Sequence, residues 1–257
     1  GITDYRAISA RMVALFESIG GQVYTGQEVV AIEEQKGGVV VQTGDEKQYH
    51  ADCLIACAGL GADRIAKMTG IDIDFQIVPF RGEYYRLPEH HNSIVNHLVY
   101  PIPDPSLPFL GVHLTRMIDG SVTIGPNAVL GWKREGYTAF NLDLKDSVEM
   151  LAFPGFWRAI KPHLRSGFNE FKDSLFKSGY LERVRKYCPE LILSDLLPHP
   201  VGIRAQAVQR DGTLVHDFLF AESRVSFHVC NAPSPAATSA IPIGEYICGK
   251  VAEKFKL

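Results

Sequence analysis

Two segments at opposite ends of the chain share one pattern, in which an apolar run leads into a turn of small residues and then into a helical pattern. The first runs from Cys53-Leu-Ile-Ala-Cys57 through Ala58-Gly-Leu-Gly61 into residues 62–68. The second runs from Val225–Val229 through Cys230-Asn-Ala-Pro-Ser-Pro-Ala-Ala-Thr238 into the C-terminal residues. Small side chains at such a turn let a dinucleotide or an electron-rich ring approach backbone N–H groups at a helix N-terminus. A plain helix cap is the simpler interpretation of either segment alone, and their repetition favours a ligand site.

The composition limits the class of protein. The chain has 257 residues, of which 46% are hydrophobic and 21% are charged, as in a globular protein with a sizeable core. A net charge of −3 argues against general nucleic-acid binding, and no apolar stretch approaches the roughly 20 residues that span a bilayer. The five cysteines are scattered without metal-ligand spacing. We therefore expect a protein of a reducing, cytoplasmic compartment with no structural metal.

Hydrophobic periodicity predicts a mixed fold, with α/β material at both ends of the chain and an antiparallel α+β region between them. Thr3 or Asp4 can cap a first helix, which Gly20-Gly21 ends. The apolar positions of this helix form one stripe: Ile8, Met12, Leu15, Phe16 and Ile19. Residues 53–57 predict a strand covered on both faces, because the run is apolar throughout. We also expect strands at residues 22–24, 28–32, 39–42, 75–78, 82–87, 95–100, 110–115, 121–124, 201–208, 218–220 and 225–229.

Residues 143–188 have a helical pattern in which apolar side chains alternate with Lys and Arg. The apolar positions are Phe153, Phe156, Trp157, Ile160, Leu164, Phe168, Phe171, Leu175, Phe176 and Tyr180. Such a stripe is typical of helices packed against a sheet. Attachment to a membrane surface or to a partner is the alternative, since aromatic and basic side chains together suit that role.

Cationic and polar residues gather in the antiparallel region and just before the closing turn. They are Arg81, Tyr84, His97, His113, Arg116 and Arg204. Arg binds a carboxylate through a planar fork, so several Arg beside His and Tyr would suit a small dianionic acid. Arg204 is the first candidate because apolar positions flank it, and His113 is the first candidate for a base that takes a hydroxyl proton. A structural ion pair remains the simpler interpretation of any single Arg, and His113 is equally consistent with a core histidine.

Several long stretches match one known family. They include Pro79-Phe-Arg-Gly-Glu-Tyr84, Pro108-Phe-Leu-Gly-Val-His-Leu-Thr-Arg116, Lys133-Arg-Glu-Gly-Tyr137, Gly202-Ile-Arg-Ala-Gln-Ala207 and Asn231-Ala-Pro-Ser-Pro-Ala-Ala-Thr-Ser-Ala-Ile-Pro-Ile-Gly244. Through them, and over essentially its whole length, the chain resembles the bacterial FAD-dependent L-2-hydroxyglutarate dehydrogenases, also called oxidases. These enzymes belong to the D-amino-acid-oxidase-like group of flavoproteins.

The resemblance implies that FAD is the cofactor. The closing turn would lie against the flavin and its ribityl-phosphate through Pro233, Ser234, Pro235, Ala236, Ala237 and Thr238. The first turn would supply a second contact through Cys57, Ala58, Gly59 and Gly61, and the segment passing the adenine would contain Val29 and Val30. Arg204 falls where related amine and amino-acid oxidases place the Arg that grips the substrate carboxylate. Those relatives often have Pro at the next position, where this chain has Ala205.

The implied reaction is the oxidation of L-2-hydroxyglutarate, a small dicarboxylate 2-hydroxy acid, to 2-oxoglutarate. Hydride passes from C2 to the flavin, a base takes the hydroxyl proton, and the electrons leave to a quinone or another acceptor. A quinone acceptor is compatible with peripheral contact on the inner face of the cytoplasmic membrane. The alternatives are a related flavoprotein that oxidises glycerol phosphate or an amino acid, and a non-catalytic binding or membrane-docking module.

The resemblance also implies a domain division. Residues 1–77 and 195–257 would form a partial, discontinuous FAD-binding domain of Rossmann-like character, and residues 78–194 would form an antiparallel-sheet substrate-binding domain with helices. Members of the family begin with a βαβ unit that carries G-x-G-x-x-G, and this sequence contains no such fingerprint. We therefore expect a fragment that by itself binds FAD weakly or not at all. A flavin titration with tight, stoichiometric binding would contradict this expectation.

Overall fold

The computed structural model describes residues 2–102, 112–127, 129–138, 142–161 and 177–257. The helices within these ranges are α1 (Tyr5–Ser18), α2 (Ala62–Met68), α3 (Leu144–Ala152), α4 (Pro154–Ile160), α5 (Lys177–Arg185) and α6 (Ala240–Phe255). The strands are β1 (Val29–Gln35), β2 (Gly38–Thr43), β3 (Gln48–Ala51), β4 (Leu54–Ala56), β5 (Phe75–Gly82), β6 (Tyr85–Arg86), β7 (His113–Arg116), β8 (Val122–Gly125), β9 (Val129–Leu130), β10 (Leu197–Pro198), β11 (Gly202–Gln209), β12 (Leu219–Glu222) and β13 (Ser226–Asn231). The predicted mixture of α/β and α+β structure is confirmed.

The chain divides into two compact units. Val78–Gln206 form most of unit 1, and Asp4–Ile77 with Ala207–Leu257 form unit 2. The chain passes between the units within β5 and within β11, which belong to a three-stranded sheet in the order β11-β5-β9. Residues 195–206 fall in unit 1, whereas the sequence analysis grouped them with the ends of the chain. Packing explains the difference, because Leu196 is buried in the same apolar cluster as Tyr180.

Unit 2 contains two three-stranded sheets. One is the antiparallel meander β1-β2-β3, and the other has the order β12-β13-β4. In the second sheet β4 runs parallel to β13, with Ser226 opposite Leu54 and His228 opposite Ala56. Helices follow both parallel strands, α2 after β4 and α6 after β13. This pair therefore supplies the α/β part of the fold that the two small-residue turns predict.

Unit 1 contains an antiparallel sheet in the order β10-β6-β8-β7, against which α5 packs. Leu114 and Ile124 of the sheet have no exposed surface, and Tyr180 of α5 is 1% exposed. The Tyr180 hydroxyl lies 3.2 Å from the main-chain oxygen of Glu83 and 3.3 Å from that of Ile124. Burial raises the pKa of Tyr180 far above its ordinary value, so the hydroxyl remains a donor to these oxygens.

Most of the predicted strands are present with shifted ends, and three differ. Residues 22–24 form no strand, and residues 95–100 contribute only an isolated bridge from Val99 to Leu114. The strand predicted at 82–87 is divided, because β5 ends at Gly82 and β6 begins at Tyr85. The strand at 53–57 is not covered on both faces by the described residues, since Ile55 is 47% exposed. Residues 110 and 111 of another predicted strand lie outside the described ranges.

Helix α1 begins as predicted, but its apolar stripe lies at the surface. The Asp4 carboxylate caps the helix by accepting from the N–H groups of Arg6 at 2.9 Å and Ala7 at 3.2 Å. Gly20 follows the helix with φ +95°, a conformation that glycine adopts without strain. Within the described part of the chain the stripe residues are exposed, and these are Ile8, Met12, Leu15, Phe16 and Ile19.

The aromatic stripe of residues 153–180 is described only in part. Phe156 and Tyr180 are buried, as the packing interpretation predicts, whereas Trp157 is 53% exposed and donates its indole N–H to the Leu151 oxygen at 2.8 Å. The remaining members from Leu164 to Phe176 lie outside the described residues. Of the helices that the structure describes, none is long and apolar enough to cross a membrane.

A buried polar network in unit 2 surrounds one histidine. The hydroxyls of Ser226 and Ser223 both donate to the Glu34 carboxylate, the first at 2.7 Å. His228 is 1% exposed, and its Nε2 lies 3.0 Å from Ser226 Oγ and 3.3 Å from Thr69 Oγ1. Its Nδ1 has no hydrogen-bond partner among the described residues. Burial lowers the pKa of His228, although the Glu34 carboxylate opposes the shift, so the imidazole is neutral at pH 7.

We predict from this network that acid destabilises the fold through His228. Its pKa is 6.5 in the unfolded chain and lower in the folded protein. As pH falls through 6.5, the unfolded chain takes up a proton that the folded chain does not, so the free energy of unfolding decreases. The slope of the unfolding free energy against pH is proportional to the number of protons taken up on unfolding. His228→Gln should lower this number by up to about one between about pH 7 and pH 5. Urea denaturation across this range measures the slope. An unchanged slope in His228→Gln would contradict the prediction.

Candidate functional site

The two small-residue turns leave the same edge of one sheet in unit 2. β4 ends at Ala56, β13 ends at Asn231, and the two strands are parallel neighbours. The carboxyl ends of parallel neighbours point the same way, so residues 57–61 and residues 232–239 leave the sheet side by side. In open α/β sheets, ligands bind in the crevice outside this edge. We call this region the carboxyl edge.

The first turn leaves open space beside its backbone. Gly59–Gly61 form a 3-10 turn that leads into α2. A Cβ at either Gly59 or Gly61 would meet no atom of the described residues within 4 Å. Gly59 has φ +51°, which favours glycine, whereas Gly61 has an ordinary φ of −97° that any residue adopts. The absence of a side chain at position 61 therefore serves no visible conformational purpose, and it leaves room for a ligand.

The closing turn leads into the N-terminus of α6. Ala237–Ser239 form a 3-10 turn, and the Thr238 hydroxyl donates to the Pro235 oxygen at 3.1 Å. Ser234, Pro235, Ala237 and Thr238 are exposed, and no side chain of the described residues caps the first N–H groups of α6. The N-terminus of a 16-residue helix carries a partial positive charge, so it favours an anionic group such as a phosphate.

Three further predicted cofactor contacts belong to this part of unit 2. Val29 packs half-buried in an apolar cluster with Leu54 of β4, whereas Val30 is 44% exposed. Partial burial, and to a lesser degree the nearby Cys248 thiol, raises the pKa of Cys57. The Cys57 thiol is therefore protonated at pH 7 and is a small neutral neighbour rather than a nucleophile.

A second group of candidate residues comes together in unit 1. The His113 ring on β7 lies 4.5 Å from the Tyr100 ring, measured between centroids. Across the sheet, His113 pairs with Gly125 of β8. A Cβ at Gly125 would lie only 2.8 Å from the ring of Tyr84. We call Tyr84, Tyr100 and His113 the tyrosine–histidine cluster.

Burial shifts the pKa values of His113 and Tyr84 in this cluster. It lowers the pKa of His113, and together with the nearby Tyr100 it raises the pKa of Tyr84. His113 Nδ1 lies 3.2 Å from the Thr115 hydroxyl. If Nδ1–H donates in this contact, the lone pair of the neutral ring is at Nε2, which is the form that a base requires.

Arg204 extends from the strand face that adjoins this cluster. A Cβ at Gly202 would lie 3.7 Å from the Tyr84 ring. Residues two apart in a strand share a face. The Arg204 side chain therefore leaves β11 on the same face as a Gly202 Cβ would, which is the face toward Tyr84. Arg204 is half-buried, and burial lowers its pKa, although a guanidinium remains charged at pH 7.

The other predicted substrate contacts have different surroundings. Arg81 is 8% exposed and forms an ion pair with Glu83 at 2.5 Å, and Asn127 donates to the second oxygen of Glu83 at 2.8 Å. These contacts match the structural interpretation of Arg81. Arg116 and His97 are exposed.

One neighbour of the cluster was missed by sequence reasoning. The His199 ring lies 6.2 Å from the Tyr84 ring, measured between centroids. The sequence Pro198-His199-Pro200 could have pointed to His199, because prolines on both sides restrict the backbone around this ionisable residue.

Comparisons with known proteins identify the family. The sequence model described as FAD dependent oxidoreductase (DAO) matches residues 1–249. The chain belongs to this family of FAD-dependent oxidoreductases, and the resemblance found in the sequence is confirmed.

Two curated relatives are similar to nearly the whole chain. An L-2-hydroxyglutarate dehydrogenase of Escherichia coli strain K12 is 57% identical over 251 residues, which are 98% of this chain and 60% of that protein. An L-2-hydroxyglutarate dehydrogenase of Indibacter alkaliphilus is 39% identical over 256 residues, which are 99% of this chain and 64% of that protein. The chain thus spans less than two thirds of the length of these relatives.

A solved structure shares the fold. It is the dithionite-reduced L-alpha-glycerophosphate oxidase of Mycoplasma pneumoniae with FAD bound, and it aligns over 90% of this chain and 52% of its own with a TM-score of 0.61. The two sequences are 22% identical, so this likeness concerns the fold alone.

Gly125→Ala should destabilise unit 1 and disturb the tyrosine–histidine cluster. The new Cβ would lie 2.7 Å from the Glu83 oxygen and 2.8 Å from the Tyr84 ring, at φ +140°. Overpacking of this kind costs about 1–3 kcal/mol beyond backbone strain. Gly120→Ala is the matched control, because Gly120 has φ +82° and open space around it. Urea denaturation of both variants measures the difference, and equal losses would contradict the steric role of Gly125.

Proposed function

We propose that this chain is the flavin-closing and substrate-binding part of a FAD-dependent dehydrogenase that oxidises L-2-hydroxyglutarate to 2-oxoglutarate. The observation that carries the proposal is the convergence of two small-residue turns at one carboxyl edge. The names of the relatives, at 57% and 39% identity, support the substrate.

The carboxyl edge fits an extended nucleotide cofactor. The space beside Gly59 and Gly61 admits a group close to the backbone, and the start of α6 favours a phosphate. Residues 57–61 and 233–238 would hold FAD, with Val29 and Val30 along its adenine end. FAD, when bound, supplies an acceptor for hydride.

In unit 1, Arg204 would bind a substrate carboxylate through its guanidinium fork. His113 Nε2 would accept the proton of the C2 hydroxyl, which suits a ring that burial keeps neutral at pH 7. Tyr100 packs against the His113 ring and would help to fix its orientation. Tyr84, whose pKa is raised, would offer a phenolic O–H to the substrate. Arg116 and His97 remain secondary candidates for the second carboxylate, and Arg81 would be one only if it left its ion pair with Glu83.

The electrons would leave to a quinone or another acceptor. We infer a cytoplasmic protein, with peripheral contact at the inner face of the cytoplasmic membrane if the acceptor is a quinone dissolved in the bilayer. The exposed Trp157 would suit such a contact, because indole rings favour the membrane interface.

Arg204→Ala in the full-length protein should raise the KM for L-2-hydroxyglutarate about 30-fold or more. The variant loses the pairing of a half-buried guanidinium with the substrate carboxylate, which contributes at least about 2 kcal/mol to binding. Steady-state kinetics with a dye acceptor measures this change. The exposed control Lys133→Ala removes a positive charge from unit 1 and should leave the KM unchanged. An unaltered KM in Arg204→Ala would remove Arg204 from the carboxylate site. Flavin reduction by glycerol phosphate or an amino acid, and not by L-2-hydroxyglutarate, would overturn the substrate assignment.

Gly61→Leu in the full-length protein should weaken FAD binding without loss of folding. The new side chain would meet no atom of the described residues near its Cβ, so the apoprotein should keep its thermal stability. The same side chain would occupy the space that we assign to the cofactor, so the Kd for FAD should rise by about tenfold or more. Gly37→Leu places the same side chain in open space on the β1–β2 turn and is the control. Equal FAD affinity of the Gly61→Leu and Gly37→Leu proteins would contradict the cofactor site.

A further inference from the structure

Three potential metal ligands meet in unit 1, among residues that the proposed reaction does not use. His90 and His91 lie in the 3-10 turn Glu89–His91, and Asp195 ends the 3-10 turn Leu193–Asp195. Each residue offers one ligand atom, and the three atoms all lie within 4.8 Å of one another. The cluster joins distant parts of the sequence, and for that reason cysteine and histidine spacing did not reveal it.

The geometry is close to that of a coordination site. His91 Nε2 lies 3.3 Å from Asp195 Oδ2, and the His90 and His91 ring centroids are 4.3 Å apart. Ligands bound about 2.0–2.2 Å from a tetrahedral Zn²⁺ are about 3.3–3.5 Å from one another. The His91–Asp195 pair already has this separation. His90 is exposed, so a change of its side-chain torsions can bring its nitrogen nearer.

The buried member of the cluster, Asp195, is held in place. Asp195 is 5% exposed, and the Ile192 N–H donates to its Oδ2 at 2.8 Å. Leu191 and Leu196, which flank this turn, are buried in the core of unit 1. In the same turn as the histidines, the Asn92 side-chain oxygen is buried and accepts no hydrogen bond from the described residues. The cluster therefore combines a fixed, buried carboxylate with one partly buried imidazole, His91, and one exposed imidazole, His90.

The ligand set selects a class of metal. Imidazole nitrogens suit Zn²⁺, Co²⁺, Ni²⁺ and Cu²⁺, whereas Mg²⁺ and Ca²⁺ prefer oxygen ligands. Two histidines and one carboxylate also leave a coordination position open to water.

We propose that His90, His91 and Asp195 bind one divalent transition-metal ion, with Zn²⁺ as the first candidate. The ion would connect the turn after β6 to the turn before β10 and so link two segments that border the core of unit 1. It lies outside the tyrosine–histidine cluster, and it stabilises the unit without taking part in the oxidation. The proposal is independent of the proposed function.

Titration of the chelator-treated full chain with Co²⁺ tests this site, because visible absorption bands report imidazole and carboxylate ligation of the ion. We expect saturation at one ion per chain, displacement by Zn²⁺, and a higher Tm with Zn²⁺ than with chelator. His90→Gln should weaken Zn²⁺ binding by about tenfold or more, because it removes one of three ligands. Since His90 is exposed, this variant should fold, and circular dichroism checks that it does.

Two further variants separate a built site from a surface histidine. Asp195→Asn keeps an acceptor for the Ile192 N–H but removes the charge, and we expect it to abolish the Co²⁺ bands. His50 is an exposed histidine in unit 2, so His50→Gln should leave Co²⁺ binding unchanged. Absence of a saturable one-to-one complex would overturn the proposal. Binding that survives both His90→Gln and Asp195→Asn, or that is lost in His50→Gln, would overturn it as well.

Discussion

The parallel pairing of β4 with β13 is the constraint on which the rest of unit 2 depends. These strands are only 3 and 6 residues long, yet their register, with Ser226 opposite Leu54, brings together segments from the two ends of the chain. Because the strands run the same way, their following turns share one edge, and both can open toward the same ligand. An antiparallel arrangement of the same strands would have sent the two turns to opposite edges.

The second candidate site depends on close packing around Gly125. The Tyr180 hydroxyl donates to the main-chain oxygen of Ile124, which precedes this glycine, and to that of Glu83, between β5 and β6. Because Gly125 has no side chain, the Tyr84 ring can approach β8 closely. The same glycine pairs with His113 on the neighbouring strand β7. Close packing at Gly125 therefore helps to fix the position of Tyr84, and strand pairing with Gly125 places His113, which favours a precise arrangement of polar groups.

The sequence predicted those elements that carry strong local signals. Asp4 as a helix cap, the β1–β2 hairpin and the strand–turn–helix segments all carry strong local signals, and they are present. The strand predicted at 95–100 was wrong. Its residues form only one bridge, from Val99 to Leu114, and strand propensity without a partner strand does not produce a sheet. Groupings such as Tyr84 with His113, or His91 with Asp195, join residues far apart in the chain. No local periodicity reports such contacts, and only the fold reveals them.

The position of unit 1 within the sequence affects how the protein folds. Pairing β4 with β13 closes a loop that contains Val78–Gln206, which form most of unit 1, and the entropy lost on loop closure grows with the length of free chain. If unit 1 folds first, β5 and β11 are held in one sheet, and the free chain between β4 and β13 becomes much shorter. In that order of events, the inserted unit would act as an intramolecular nucleus, and the carboxyl edge would be among the last regions to assemble.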